Sequence, residues 1–346
     1  DKKFGDGFTA TVDIIYTKDI NAVIMRNPNL KAPTDRLTGQ DNRFYYPTGI
    51  NSSLYYPANQ VGTPIVLENI KKGNAFSFTA QLSKDFKNGF SGMVAYNYSR
   101  AKEVSPNPGS RATSAWQSIY NVNGPNDNVL DNSQYAIPHR IISNLSYRIE
   151  HGIFNFPSTF SLFYEGSNGV VLSYNVNGSI VGDGNTELMY VYAKGSDVPF
   201  VATAKYTVAQ QQAAYDEFIA SSKYLTKMKG KYVNRYGGVG AWYNQIDFRF
   251  LQDLLVRRGE NGKVKQTLQF SLDIFNLGNM INSKWKGWGY RQTTTLTDPL
   301  QFKGYVNGAP TFNMREFSGA LPTNVFTPLY STGSTYSMQM GLRYTF

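Results

Sequence analysis

Residues 336 to 346 of the chain read Tyr336-Ser-Met-Gln-Met-Gly-Leu-Arg-Tyr-Thr-Phe346. Every second residue is apolar or aromatic: Tyr336, Met338, Met340, Leu342, Tyr344 and Phe346. The residues between them are small or polar: Ser337, Gln339, Gly341, Arg343 and Thr345. Successive side chains of a β-strand point to opposite faces, so a period of two indicates a strand. This stretch therefore predicts a strand with one apolar face and one polar face.

The same alternation recurs along the chain, and it predicts about nine to eleven strands of the kind that build membrane barrels. The clearest segments are 8–17, 75–85, 90–98, 139–150, 158–164, 243–256 and 267–276. In 243–256 we expect Leu254 on the apolar face with Phe248 and Phe250. Two connections contain Asn-Gly, the strongest short signal for a hairpin, at Lys87-Asn-Gly89 and Glu260-Asn-Gly262.

The connections between these segments alternate in length. Short turns at 86–89, 151–157 and 259–263 alternate with long loops at 18–70, 101–137, 166–241 and 277–335. Tight turns on one rim and long loops on the other are typical of outer-membrane barrels. The pattern predicts an all-β, antiparallel transmembrane β-barrel with a polar interior and long extracellular loops. The alternative for the single terminal strand is an edge strand of a soluble sandwich or barrel.

Composition agrees with many strands and turns. Aromatic residues make up 15% of the 346 residues and charged residues 17%, and no run of 18 apolar residues predicts a transmembrane helix. The chain has no cysteine, which excludes disulfides and thiolate metal sites, and its two histidines cannot build a multi-histidine metal centre. The net charge of +10 is spread over loops and strands, which favours a polar lumen over nucleic-acid binding.

The long loop 166–241 contains one segment with helical character. Thr207 is a candidate N-cap, and it is followed by alanines and an approximate apolar stripe of Val208, Tyr215, Phe218, Ile219 and Leu225. We expect one short helix in this loop, and we interpret residues 18–70 as a long loop with extended arms, the outer parts of two tall strands.

Six charged residues lie on or near the predicted polar faces of the strands. They are Asp13, Arg148, Asp247, Arg249, Asp273 and Arg343. A charge on the lipid face of a barrel costs several kcal/mol at mid-depth, whereas a wet or plugged lumen accepts it. We therefore expect these residues to face the lumen and to pair across strands or with a plug.

Two groups of residues are candidates for catalysis, but neither fits the chemistry well. His139, Ser143 and Asn144 resemble the set of an outer-membrane lipid hydrolase, yet His139 and Ser143 are about 13 Å apart on a strand. The acidic residues Asp183, Glu187, Asp197 and Asp216 lack a histidine partner. We assign no catalytic or cofactor-binding residue.

Two further motifs have a structural and a functional interpretation. Asp183-Gly-Asn185-Thr-Glu187 resembles part of an oxygen-ligand Ca²⁺ loop but lacks the later bidentate glutamate, so a plain turn is favoured and no metal site is assigned. Trp285, Trp288 and Tyr290 could form a platform for carbohydrate stacking. Tryptophan and tyrosine also populate interfacial aromatic belts, and the belt or loop packing is the favoured interpretation.

Five segments in order resemble the C-terminal half of the barrel of a TonB-dependent outer-membrane transporter, closest to the Oar-like receptors. They are Pro138-His-Arg-Ile-Ile-Ser-Asn-Leu-Ser-Tyr147, Gly182-Asp-Gly-Asn185, Lys223-Tyr-Leu-Thr-Lys227, Trp242-Tyr-Asn-Gln-Ile-Asp-Phe-Arg-Phe250 and Ser271-Leu-Asp-Ile-Phe-Asn-Leu-Gly-Asn279. The resemblance spans most of residues 75–346. It implies that residues 1–346 are the C-terminal part of a 22-stranded barrel domain, with Tyr344 and Phe346 as the signal for the barrel-assembly machinery.

The resemblance also implies a function in the cell outer membrane. Such transporters hold an N-terminal plug in the barrel and take up siderophores, cobalamin, glycans or peptides, driven by the TonB complex. The resemblance leaves open whether a surface lipoprotein is a partner. Plug, TonB box and the remaining strands are not among these residues, and residues 1–7 do not resemble a signal peptide, so we expect a processed start or the middle of a longer protein. We expect the plug, the TonB box and the remaining strands on the same polypeptide or a partner. The alternatives are a passive pore or a secretion or assembly channel component, and an outer-membrane hydrolase.

Overall fold

The computed structural model describes residues 1–85, 88–107, 109–258 and 264–346. Strands account for 45% of the structure and helices for 13%, which confirms the all-β class. The predicted turn Glu260-Asn-Gly262 and residue Lys87 of the first Asn-Gly turn lie outside the described residues.

Eight long strands form the main sheet of the described chain. They are β1 (Phe8–Lys18), β2 (Asn74–Asp85), β3 (Phe90–Glu103), β4 (His139–Ile149), β5 (Ser158–Ser167), β6 (Tyr243–Arg258), β7 (Val264–Phe275) and β8 (Ser337–Thr345). Each strand pairs antiparallel with the strands that precede and follow it in this order. Because the strands alternate in direction, all the long connections lie at one end of the sheet and all the short ones at the other.

The strand registers place the apolar residues on one face of the sheet. One row across the sheet runs Phe90, Tyr147, Phe160, Phe250, Leu272 and Met340, each residue directly opposite the next. Directly opposite residues of an antiparallel pair share a face. The alternation predicted from the sequence is therefore confirmed, and it lines up from strand to strand.

The alternation within β6 is interrupted, so the expected position of Leu254 was wrong. Asp253 stands opposite Gln269, and Leu255 stands opposite Leu268. Leu254 is thus the extra residue of a β-bulge, and Leu255 takes the place on the apolar face. A pattern of hydrophobicity does not show a bulge when two leucines are adjacent.

The main sheet is open, so a closed barrel is not observed. β1 and β8 are at opposite ends of the strand order, and the short strand Lys2–Lys3 covers only part of the outer edge of β1. Within the described residues no strand pairs with the outer edge of β8. Both margins leave backbone groups available for further strands.

The long connections contain most of the remaining secondary structure. Their short strands are Ala22–Arg26, Asp35–Arg36, Phe44–Tyr45, Val66–Ile70, Asp131–Asn132, Val171–Leu172, Val176–Asn177, Tyr190–Val191, Lys231–Tyr232, Gly238–Val239, Arg291–Thr294, Leu300–Val306, Ala309–Met314 and Phe326–Leu329. The α-helices are α1 (Ala112–Gln117), α2 (Val208–Ala220), α3 (Lys223–Lys227) and α4 (Leu277–Ile281), with 3₁₀ turns at Gly5–Gly7, Ile50–Ser53, Ile153–Asn155, Gly195–Asp197 and Thr332–Ser334.

The predicted helix is α2, and Thr207 caps it. The Thr207 side chain accepts from the Gln210 backbone N–H, and the Gln210 side chain accepts from the Thr207 N–H, which together form a capping box. The expectation of one helix was wrong, however. Three helices of five or six residues accompany α2, and such short helices have too few residues for a clear periodic signal.

The buried hydrophobic core lies in the long connections and not in the sheet. Its largest fully buried members include Trp116, Tyr174, Tyr215, Phe218 and Phe312. Among the described residues, all 27 buried members of the cluster come from the four long connections. These connections fold together into one layer at the end of the sheet, here called the loop layer. The loop 18–70 has the expected extended arms, which pair as Ala22–Arg26 with Val66–Ile70, and it contributes Met25, Leu30, Leu37 and Tyr46 to the layer.

Backbone hydrogen bonds join the connections to one another within the loop layer. Tyr46 N–H donates to the Val181 carbonyl at 2.7 Å, and Leu188 N–H donates to the Asn121 carbonyl at 3.0 Å. The strand Val176–Asn177 pairs in parallel with Leu300–Val306. None of the helices in the described part of the chain has the length and apolar run needed to cross a bilayer.

Candidate functional site

The six charged residues predicted from the sequence all lie on the polar face of the main sheet. Register places Asp13 opposite Thr79, Arg148 opposite Thr159 and Arg343 opposite Gln269. The pairing of β6 with β5 and β7 places Asp247, Arg249 and Asp273 on the same face.

Arg249 and Asp273 form an ion pair across β6 and β7. The Arg249 Nε lies 3.2 Å from Asp273 Oδ1, and the two residues stand directly opposite each other. The arginine is half exposed and the aspartate is mostly buried. The pair joins two strands on a wet face, where an ion pair contributes at most about 1 kcal/mol.

Asp247 is the centre of a second polar network. Its carboxylate accepts from the Gln245 amide at 3.1 Å and from the Asn276 backbone N–H at 2.8 Å. Gln245 in turn accepts from Arg291 at 2.6 Å. Asn276 is the N-cap of α4, so this network ties the polar face of the sheet to the start of the last long connection.

The other predicted residues do not join these networks. Arg148 forms an ion pair with Glu150 on its own strand end, at 2.7 Å. Asp13 and Arg343 belong to the two marginal strands β1 and β8. Tyr344 stacks on Phe346 with 5.8 Å between ring centroids, at the short-turn end of β8.

Two neighbouring cavities open in the loop layer. One has a volume of about 430 Å³ and the other about 380 Å³, and both are lined by Phe44, Asn123 and Asp127. The larger also contacts Asp183, and the smaller contacts Arg43. Their mixed apolar and polar linings and their place between connections make them the candidate ligand-binding region.

A buried ion pair forms part of the wall of the smaller cavity. Arg43 and Asp41 make a two-point contact, with both N–O distances at 2.9 Å, and Tyr232 donates to Asp41 at 3.0 Å. Both charged side chains are fully buried. The nearby Asp41 carboxylate raises the pKa of Arg43 despite burial, so the guanidinium stays charged.

Asp183 and Glu187 meet in the loop layer with one carboxyl oxygen each lacking a hydrogen-bond donor. Asp183 Oδ1 accepts from Asn185 N–H at 2.9 Å, and Glu187 Oε2 accepts from Ile180 N–H at 3.0 Å. Asp183 Oδ2 and Glu187 Oε1 are buried without a partner among the described residues. The pKa of Glu187 is raised well above its usual value. Burial is the largest cause, and the negative charge of Asp183 is the next.

The Asp183–Glu187 arrangement supports a turn more directly than a metal loop. Asp183 Oδ1 accepts from Ser179 as well as from Asn185, so it closes the turn 179–185 on itself. Among the described residues no group of three or more histidine, aspartate or glutamate side chains lies together as a metal site would require.

The residues of the hydrolase hypothesis are not brought together. The His139 Nδ1 atom shares a hydrogen bond of 2.7 Å with the Tyr96 hydroxyl. Ser143 lies four positions further along the same strand, opposite Val94. Asn144 points to the other face of β4. Of the acidic residues in the loop 166–241, Asp183 lies beside Glu187, and Asp216 accepts from the Gly195 N–H at 2.7 Å; the loop contains no histidine to act with them.

The tryptophans near residue 288 lie at the loop end of the apolar face. Trp288 stacks on Tyr164 of β5, with 5.9 Å between centroids and 26° between planes. Tyr290 instead contacts Tyr330 at 6.4 Å. The three aromatic residues therefore do not form one stacking platform.

Sequence reasoning missed the ion pair of Arg43 with Asp41 and the two cavities beside it. Asp41-Asn-Arg43 has no periodic signal, and its partners Val122 and Tyr232 lie in other connections. The only local signal was two opposite charges two residues apart. No protein-family model, curated protein or solved structure matches this chain.

Proposed function

We propose that the main sheet is part of the wall of a transmembrane β-barrel in the bacterial outer membrane, and that this barrel takes up a nutrient by TonB-dependent active transport. The observation that carries the first part is an apolar face that the other described elements leave largely uncovered. It spans all eight long strands, and the core of the protein is elsewhere, in the loop layer.

The exposure of this face is far greater than in water-soluble proteins. Leu342 is 70% exposed and Met340 69%, and Ile14, Val94, Leu145 and Leu162 are also exposed. Monomeric soluble proteins rarely leave so large a contiguous apolar surface in water. Lipid acyl chains would cover it, while the opposite face holds the ion pair of Arg249 with Asp273 and other polar groups.

Aromatic residues flank the aliphatic positions on this face. Phe90, Tyr147 and Phe160 form a row towards the short-turn end, and Tyr16, Phe76 and Tyr98 lie towards the loop end. Aromatic girdles at both interfaces are typical of outer-membrane barrels.

The transport part of the proposal rests on the family resemblance and on the loop layer. Its two cavities would receive the substrate from outside, and the open margins of β1 and β8 would pair with further strands around a plug. The charged polar face would then line the lumen.

Spin labels at adjacent positions of β5 test the membrane assignment. Leu162→Cys lies on the apolar face and Ser161→Cys on the polar face, and the natural chain has no cysteine to interfere. In lipid vesicles we expect oxygen, which dissolves in the bilayer, to relax the label at 162 much more than the label at 161. A water-soluble nickel complex that reaches position 162 better than oxygen would overturn the proposal.

Uptake assays test the transport mechanism separately. Cells that produce the protein would receive siderophores, cobalamin, glycans or peptides, with and without a proton uncoupler. We expect uptake of one class that stops with the uncoupler. Uptake that continues without the proton gradient would indicate the passive pore instead.

A further inference from the structure

An apolar cavity opens beside the loop end of the main sheet. Its volume is about 480 Å³, and its lining comprises Ile246, Leu277, Gly278, Ile281, Trp285, Lys286 and Trp288. Ile281 is 63% exposed and Trp285 49%, so the cavity is an open groove. Its walls come from β6, from α4 and from the turn that follows α4.

The cavity continues the apolar face of the sheet. Ile246 stands opposite Tyr164 in the register of β5 and β6, which places both on that face. Trp288 stacks on Tyr164, and this contact holds the turn after α4 against the face. The groove is therefore directly reached from the surface that lipid would cover.

The backbone holds the groove in a fixed shape. Asp247 accepts from the N–H of Asn276, the N-cap of α4, and so fixes the start of the helix from the polar side of the sheet. A side chain at Gly278 would lie 2.8 Å from the Trp288 carbonyl oxygen, so the glycine permits the close approach of α4 and the turn.

The rim of the groove is positively charged. Lys286 lines it, and Lys284, the exposed neighbour of Trp285 in the chain, adds a second cation. The sequence from 274 to 297 contains Lys284, Lys286 and Arg291 but no aspartate or glutamate. Arg291 is held by Gln245 on the polar side. Within the described chain no ion pair includes either lysine. A groove for a hydrocarbon chain thus lies next to two cationic groups.

We propose that this groove binds an anionic membrane lipid, with an acyl chain against Trp285 and Ile281 and the phosphate held by Lys284 and Lys286. The inference rests on the proposed membrane location of the sheet. The apolar lining accepts a chain but offers a sugar few hydrogen-bond partners, which distinguishes this occupant from a carbohydrate. Each lysine near an anionic head group adds to the preference for that lipid.

Quenching of tryptophan fluorescence by brominated lipids tests the inference. The full-length protein would be placed in vesicles of zwitterionic phosphatidylcholine with a small fraction of brominated phosphatidylglycerol, or with the same fraction of brominated phosphatidylcholine. The signal of Trp285 and Trp288 is obtained as the difference from a Trp285→Phe/Trp288→Phe variant. We expect the anionic lipid to be enriched about tenfold at these tryptophans.

Variants of matched lysine pairs complete the test. Lys284→Gln/Lys286→Gln should make the two brominated lipids equally effective, whereas Lys229→Gln/Lys231→Gln, an exposed pair with the same spacing in the loop layer, should leave the preference intact. Equal quenching of the unmodified protein by both lipids would overturn the lipid site but keep the membrane location. Absence of quenching by either lipid would overturn both.

Discussion

Glu187 is a buried acid whose protonation is coupled to folding. Its usual pKa is 4.5, and burial with the neighbouring Asp183 raises the pKa in the folded protein. Above pH 4.5 the folded state therefore binds more protons at this residue than the unfolded state, so the stability contributed here falls as pH rises towards the raised pKa.

Glu187→Gln should remove this pH dependence. The amide keeps the bond from Ile180 N–H and supplies a donor for Asp183. The denaturant midpoint of the loop layer can be followed by the fluorescence of buried Trp116. We expect this midpoint to change less with pH above pH 4.5 in the variant than in the natural protein. Glu217→Gln, on the exposed side of α2, is the control. A profile unchanged by Glu187→Gln would show that this carboxyl is not the titrating group.

β4 lies in the middle of the main sheet, so the effects of substitutions on its two faces can be compared directly. Asn144 and Leu145 are adjacent, both are exposed, and they point to opposite faces. In a membrane, Leu145→Arg should destabilise the protein by about 2–4 kcal/mol, and Asn144→Arg by less than about 1 kcal/mol. Folding titrations in lipid vesicles measure the difference. Equal losses from the two variants would contradict the assignment of the faces.

α2 offers a prediction for the loop layer that does not depend on the membrane. Thr207→Ala removes the side-chain cap and should cost about 1 kcal/mol of folding free energy, because an N-terminal N–H loses its acceptor. Thr207→Ser retains the hydroxyl and is the matched control. Thermal unfolding of the two variants distinguishes them; the same loss from both would mean that the methyl group matters and the cap does not.

In the described part of the molecule, the main sheet has two open margins, the largely unpaired edge of β1 and the unpaired edge of β8, and the partners of these edges would decide the size of the proposed barrel. A photo-crosslinking residue at Ile15 on β1 or at Gln339 on β8 should capture segments outside the eight long strands. The same probe at Asn144 should capture only β3 and β5, its neighbours in the sheet. Crosslinks between positions 15 and 339 would show instead that the eight strands close on themselves.

Much of the sheet was predictable from residue patterns, while the site was not. The alternation in 336–346, 8–17 and 75–85 predicted strands and faces correctly, because one period-2 pattern suffices for a strand with two environments. The bulge at Leu254 was missed, since register depends on the partner strand. The contacts of Arg43 with Asp41 and of Asp183 with Glu187 depend on how separate connections pack, which no local pattern encodes.

By itself, the sequence determined the all-β class, the alternating faces, the sorting of short and long connections and the capped helix α2. All of these follow from local spacing. Only the tertiary structure decided that the long connections share one hydrophobic core, that the sheet stays open at β1 and β8, and that a groove forms between Ile246 and Trp285. These features join residues far apart in the chain, and their free energy comes from packing and excluded water rather than from local pattern.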